Sequence, residues 1–249
     1  MTLDRSGDAA LAAELAEAAG RVLVELYAGG LTGNELGAAA DQAANRLLIE
    51  RLSAERPEDG ILSEESKDTP ERLGKRRVWI VDPLDGTREY REARTDWAVH
   101  VALAVDGVAT DGAVALPALD RVLRSDRPEC VPAHEGAPRL VVSRSRPPAQ
   151  ALAVAEALGA ELVPMGSAGA KAMSVVLGES DIYLHAGGQY EWDSCAPVAV
   201  AQAHGLHCSR IDGSALRYNN ADPYLPDLLI CRPKWAQQVL RAVAPSLRS

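Results

Sequence analysis

Apolar residues recur at helical spacing over residues 8–28, at Leu11, Leu15, Ala18, Val22 and Leu26, and the pattern stops at Gly29-Gly30. That spacing predicts a first amphipathic helix, and a second is expected over about residues 38–54. Short apolar runs follow at residues 60–63, 77–81, 97–105 and 108–116, with a further one at 121–124. Asp106-Gly107 is a two-residue hairpin signal between two of them. The first half therefore reads as two helices against a largely antiparallel sheet. Residues 125–138 are rich in Pro, Gly and charge, which marks a junction. Beyond it the order becomes strand (140–142), helix (147–158), strand (161–163), helix (168–177), strand (182–185), helix (194–203), strand (228–231) and a closing helix. Such alternation predicts helices packed on a second sheet. The expectation is an α/β fold, α+β by some schemes, in two lobes with a sheet each, residues 1–130 and 131–249.

Composition narrows the function classes. Aliphatic side chains must build the core of this 249-residue chain, because Phe is absent and aromatic residues are 4%. A formal net charge of -9 argues against polymeric nucleic acid or an anionic membrane as partner. The chain opens without a basic-then-apolar run, and no apolar stretch approaches the roughly 18 residues of a membrane span, so a cytoplasmic protein is expected. Cys130, Cys195, Cys208 and Cys231 form no C-x-x-C pair and are read as reduced.

The chemistry concentrates in Val78-Trp79-Ile80-Val81-Asp82-Pro83-Leu84-Asp85-Gly86-Thr87. Two carboxylates flanking a proline repel each other, and a divalent cation such as Mg²⁺ relieves the repulsion through hard oxygen ligands. Gly86 permits a tight turn, after which free N–H groups can face a phosphate and Thr87 supplies a hydroxyl. The same run also fits a strand followed by an Asp-rich turn. Glu64 and Glu65 emerge after a short apolar strand, either as partners of Asp82 or as a solvated turn. Asp41 falls on the stripe of Ala44, Leu48 and Leu52, as a buried charge needing a partner or as an N-terminal cap. Asp193 opens a predicted helix in which Pro197 sits within the first turn, which suits a cap that can also ligate a metal. Ser194 has no histidine spaced to serve as its base, so it is not read as a nucleophile. Ser167 suits an N-cap. Lys171 opposes the helix dipole unless a phosphate binds there, or else lays its stem on the surface.

Jointly these segments resemble the inositol monophosphatase superfamily of Mg²⁺-dependent phosphomonoesterases. Ser63-Glu64-Glu65-Ser66 is similar to its G-E-E-S segment, Asp82-Pro83-Leu84-Asp85-Gly86-Thr87 to its D-P-[IL]-D-G-T signature, and Trp192-Asp193-Ser194-Cys195-Ala196-Pro197 to its C-terminal W-D signature. The segments 166–171, 143–145 and 212–219 resemble the CysQ branch, in its actinobacterial form. Ala38-Ala39-Ala40 depart from the family, whose members often carry Thr there, and Ser63 replaces Gly. The resemblance implies a layered αβαβα sugar-phosphatase-like fold and a 3'(2'),5'-bisphosphate nucleotidase. It would remove the 3'-phosphate of adenosine 3',5'-bisphosphate, with the sulfated nucleotide as a further substrate. It implies that Glu64, Asp82, Asp85, Asp193 and the Leu84 carbonyl ligate two or three Mg²⁺ ions. Thr87, backed by Glu64 or Asp41, would activate water. Asp85, Gly86, Thr87 and Asp193 would meet the phosphoryl group, and Lys171, with Ser167, Arg144 or His185, the other phosphate or the sugar. A homodimer is the prior for assembly. Inositol monophosphate or fructose 1,6-bisphosphate is the alternative substrate, and a non-catalytic metal or nucleotide sensor the alternative class.

Overall fold

The two helical stripes become α1 (Arg5–Ala28) and α2 (Gly33–Glu55) in the computed structural model, which describes residues 5–247. Helix α2 starts earlier than its apolar pattern, behind an extended Thr32 and with Glu35 in the first turn, where a carboxylate complements the helix dipole. The first sheet follows the expected order, β1 (Gly60–Ser63), β2 (Arg77–Asp85), β3 (Ala98–Val105), β4 (Val108–Leu116) and β5 (Arg121–Arg124), each beside the next. Only β1 and β2 run parallel within it. Between β3 and β4, Asp106 and Gly107 have φ of 51° and 76°, the left-handed pair that a tight hairpin demands. A short helix, α3 (Thr87–Arg91), interrupts the path from β2 to β3.

The second half contains β6 (Arg139–Ser143), α4 (Ala149–Leu158), β7 (Glu161–Met165), α5 (Ala168–Val176), β8 (Ile182–Tyr190), α6 (Glu191–Ala203), β9 (His207–Ser209), β10 (Tyr224–Cys231) and α7 (Pro233–Val243). Its sheet runs β7-β6-β8-β10-β9, parallel across the first three strands and antiparallel at β10. Sequence patterning found every element except α3 and β9, which are too short to show a period. It ended β2 at residue 81 and β8 at residue 185, began β10 only at residue 228, and started α6 at residue 194.

Helices α5 and α6 lie between the sheets. One apolar cluster runs from Leu62 and Ile80 of the first sheet through Met173 and Val198 to Tyr183 and Ile230 of the second. A helix packed on both sides must be apolar all round, and in α6 every residue from Ser194 to Ala201 is buried. Outside the first sheet, Leu15, Leu23 and Leu48 of α1 and α2 cover Trp79 and Val101. Outside the second, Val154 and Val239 of α4 and α7 cover Leu140 and Leu229. The layers are therefore αβαβα. Residues 125–138 carry the chain between the sheets without helix or strand. Among the described residues no helix is long and apolar enough to cross a membrane.

Candidate active site

Residues three apart in a regular strand face opposite sides of the sheet. In β2 the ladder to β3 pairs Asp82 with His100 and Asp85 with Ala98, so β2 carries an extra residue across Pro83-Leu84. Proline has no N–H to give the ladder, and the resulting bulge returns both aspartates to one face. That face looks onto the first turns of α5 and α6. Asp193 comes from α6, and one carboxylate oxygen each of Asp82, Asp85 and Asp193 lie within 4.8 Å of one another.

Glu64, in the turn after β1, shares a carboxyl–carboxyl hydrogen bond with Asp82, and burial plus the Asp193 charge push its pKa up to about 7. Burial, then Glu64, raises Asp82 as well. Asp193 is pushed up to about 6 by burial and by Asp85. Converging hard oxygens whose charges are held off by protons are the setting a divalent cation relieves, so the acidic set fits a metal ion. Asp85 behaves differently. Burial works to raise it, but His100, the Ser167 hydroxyl and the Lys171 charge outweigh that and hold it well below the usual carboxylate range. Its oxygens accept the N–H of Ala168 at 3.1 Å and of Gly169 at 2.6 Å, together with the Ser167 hydroxyl.

Asp41 does not cap α2. It sits half-buried in the helix interior, and burial followed by the Glu65 charge pushes its pKa up to about 7. It lies within hydrogen-bonding reach of Thr87, whose hydroxyl donates to the Leu84 carbonyl at 3.1 Å. Gly86, at φ 87°, caps α3, and a Cβ there would stand 3.0 Å from the Cβ of Ser167. Both the backbone and the close approach require glycine.

Asp193 is not the N-cap of α6 either. That helix begins at Glu191, and Asp193 reaches back to accept the Tyr190 N–H at 2.6 Å. Pro197 therefore lies inside the helix rather than in its first turn. Lacking an N–H, it leaves the Asp193 carbonyl without its usual helical donor.

Ser167 is the N-cap of α5, accepting the Ala170 N–H at 3.0 Å. Asp85 occupies the same helix end. Lys171 is buried, not laid on the surface, and its ammonium donates to the carbonyls of Gly166, at 3.2 Å, and Ser167. It also lies 5.5 Å from the Tyr183 ring centroid. Arg144 is engaged by Glu89 at 2.9 Å and Glu92 at 2.6 Å. His185 donates from Nε2 to the Gly188 carbonyl at 2.7 Å, and with Lys171, Tyr183, Ser143 and Arg146 it lines a pocket of about 240 Å³.

Two residues went unnoticed in the sequence. Asn45 of α2 accepts the Ser63 hydroxyl at 2.7 Å and donates to Ser66 at 3.0 Å, which fixes the turn bearing Glu64. Its spacing of one helical turn from Asp41 was the available signal. His100 is the one ionisable residue in the apolar strand β3, and that isolation was its signal.

Two sheets and three helical layers, with carboxylates of β2 and α6 gathered at a point between them, define an α/β protein of the sugar-phosphatase type with an acidic, metal-fitting centre. Residues 4–247 match the Inositol monophosphatase family, and the chain belongs to it. A Mycobacterium leprae relative called 3'-phosphoadenosine 5'-phosphate phosphatase is 52% identical over 252 residues, covering 95% of this chain and 93% of its own. The 3'(2'),5'-bisphosphate nucleotidase CysQ of Escherichia coli (strain K12) is 29% identical, covering 85% of this chain and 94% of its own. The solved inositol monophosphatase from Anabaena (Nostoc) sp. PCC 7120 superposes with a TM-score of 0.81 at 24% identity, over 98% of this chain and 97% of that one, and shares the fold. The chain is a phosphatase of this family.

Proposed function

We propose that this phosphatase hydrolyses the 3'-phosphate of adenosine 3',5'-bisphosphate in a Mg²⁺-dependent reaction. The observation that carries this reading is the convergence of Asp82, Asp85 and Asp193 from β2 and α6, far apart in the chain. The name of the M. leprae relative supports the substrate. Glu64, Asp82, Asp85, Asp193 and the Leu84 carbonyl would hold two or three Mg²⁺ ions. Bound there, the ions supply Lewis acidity toward the attacking water and positive charge for the leaving ester oxygen.

The chain's own groups do the rest on this reading. Thr87 takes up the water's proton while its own hydroxyl proton, turned from the Leu84 carbonyl, passes to Asp41, which is poised near neutral pH. Gly86 and Thr87 direct backbone N–H groups at the phosphoryl oxygens. Lys171 and His185 face the pocket that would take the nucleotide's remaining phosphate or sugar, while Ser167 and Arg144 are tied instead to Asp85 and to Glu89 and Glu92. Residues 1–130 thus carry most metal ligands, and residues 131–249 carry Asp193 and the selecting groups.

A panel of phosphate esters under Mg²⁺ tests this. Adenosine 3',5'-bisphosphate should have the highest kcat/KM; the sulfated nucleotide belongs in the same panel. A preference of more than about tenfold for inositol monophosphate or fructose 1,6-bisphosphate, equivalent to about 1.4 kcal/mol in barrier, would overturn the substrate. Failure to release phosphate from any ester in single turnover would leave a sensor.

A further inference from the structure

His100 is fully buried in a strand that is otherwise apolar, beside the acidic cluster. It stands directly opposite Asp82 in the β2–β3 ladder, so the two side chains leave the sheet on the same face. Its Nδ1 lies 2.9 Å from the carbonyl oxygen of Trp192, the residue before Asp193. A carbonyl only accepts, so Nδ1 carries the hydrogen. Its Nε2 lies 3.3 Å from Oδ2 of Asp85, close but not aligned for a hydrogen bond. Helix α5 leaves room for the ring only because residue 169 is glycine. A Cβ there would stand 2.0 Å from Nε2, and the same Gly169 donates its N–H to Asp85.

One rigid ring thus adjoins both elements that contribute the clustered acids. We propose that His100 is a positioning residue for the metal centre: it sets the separation between Asp85 of β2 and Asp193 of α6, gripping the second through the Trp192 carbonyl. The inference rests on the metal reading above. Imidazole suits the task because it presents two polar atoms at fixed separation on a flat body, and a buried side chain in one orientation transmits position rather than averaging it. It touches no substrate.

The test is Mg²⁺ binding by the wild-type protein, His100→Gln and His100→Leu, followed by titration calorimetry without substrate. Loss of an outer partner of a metal ligand costs about 10–100-fold in metal affinity, and His100→Leu should fall in that range. His100→Gln retains an N–H for the Trp192 carbonyl and should lose less. At saturating Mg²⁺ the KM for the nucleotide should stay within about twofold of wild type in both, because the ring makes no substrate contact. A folded His100→Leu protein that binds Mg²⁺ as tightly as wild type would overturn the positioning role. Should either variant fail to fold, wild-type protein labelled with ¹⁵N-histidine decides. The His100 ring nitrogens, assigned by replacing the other histidines in turn, should shift when Mg²⁺ is added, and unmoved resonances at Mg²⁺ saturation would overturn the proposal. Absence of Mg²⁺ binding by the wild type would instead defeat the metal reading itself.

Discussion

Asp85 serves two structures at once, since the carboxylate that joins Asp82 and Asp193 also accepts the N–H groups at the start of α5. An amide there can neither offset a cation nor accept from both N–H groups. We expect Asp85→Asn to lower turnover by more than about 100-fold, beyond the range for residues one shell out, and to weaken Mg²⁺ binding. Phosphate release at saturating Mg²⁺ checks this, and wild-type rates would remove Asp85 from the site. Lys171→Ala should raise KM for adenosine 3',5'-bisphosphate more than for a simple monophosphate ester, because Lys171 lines the pocket beside the cluster. Equal losses on both substrates would make it a structural lysine. The acids themselves were visible in the sequence as an unusual run of charge after an apolar strand. What hid their geometry was the bulge at Pro83-Leu84, which reverses the facing that strict alternation assigns to Asp85.

Strand and helix limits depend on what their ends meet. β2 runs on through Asp82 and Asp85 because β3 offers a paired edge for them, whereas apolar content alone stops it at residue 81. α6 begins at Glu191 because that carboxylate is buried and accepts the N–H groups of Asn219, at 2.6 Å, and Asn220, at 2.8 Å, partners remote in the chain. A comparable anchor sits at the root of the second sheet. Asp181, fully buried, accepts from the Arg139 backbone at 2.9 Å, the Arg139 side chain at 3.1 Å and Arg232 at 2.7 Å, tying β6 and β8 to the end of β10. Burial works to raise its pKa, but the arginines outweigh it and hold the group below its ordinary value. Its contribution to stability is therefore complete above the unfolded Asp pKa of about 4 and is lost as pH falls through the lower folded value. We expect Asp181→Ala to cost about 3–5 kcal/mol at neutral pH by urea denaturation, with the difference from wild type shrinking in acid. A loss below about 1 kcal/mol at pH 7 would contradict this account.

Across the molecule, the acidic centre couples stability to pH and, on the proposed function, to metal. Asp41 and Glu64 are raised to about 7 and Asp193 to about 6, so without metal the folded state keeps protons that the unfolded chain releases near pH 4. The folded state binds more protons across that interval, so these groups destabilise the metal-free protein progressively as pH rises from about 4 to 7. On the proposed reading, Mg²⁺ would replace protons in relieving the repulsion. The rise in Tm on adding Mg²⁺ should accordingly be larger at about pH 8 than at about pH 5.5. Scanning calorimetry in both buffers reads this, and a rise independent of pH would refute the linkage.

Local pattern was enough for the layers. Helical periodicity in α1, the Asp106-Gly107 hairpin and the strand–helix alternation after residue 138 all follow from short-range sterics and side-chain polarity, which a linear chain displays openly. So does the kind of chemistry, since clustered carboxylates next to glycine and a hydroxyl admit few uses. The settings of Asp41, Asp193 and Lys171 were another matter, because Thr87 beside the first and Asp85 beside the other two come from β2 and the start of α3, remote in the chain. His100 makes the point most sharply. Its meaning comes from lying opposite Asp82 in a register set by the sheet, beneath a glycine of α5 and against a carbonyl of α6. Such coincidences of three separate elements exist only once the hydrophobic layers have closed, since burial both creates the charge repulsion and fixes the groups that answer it.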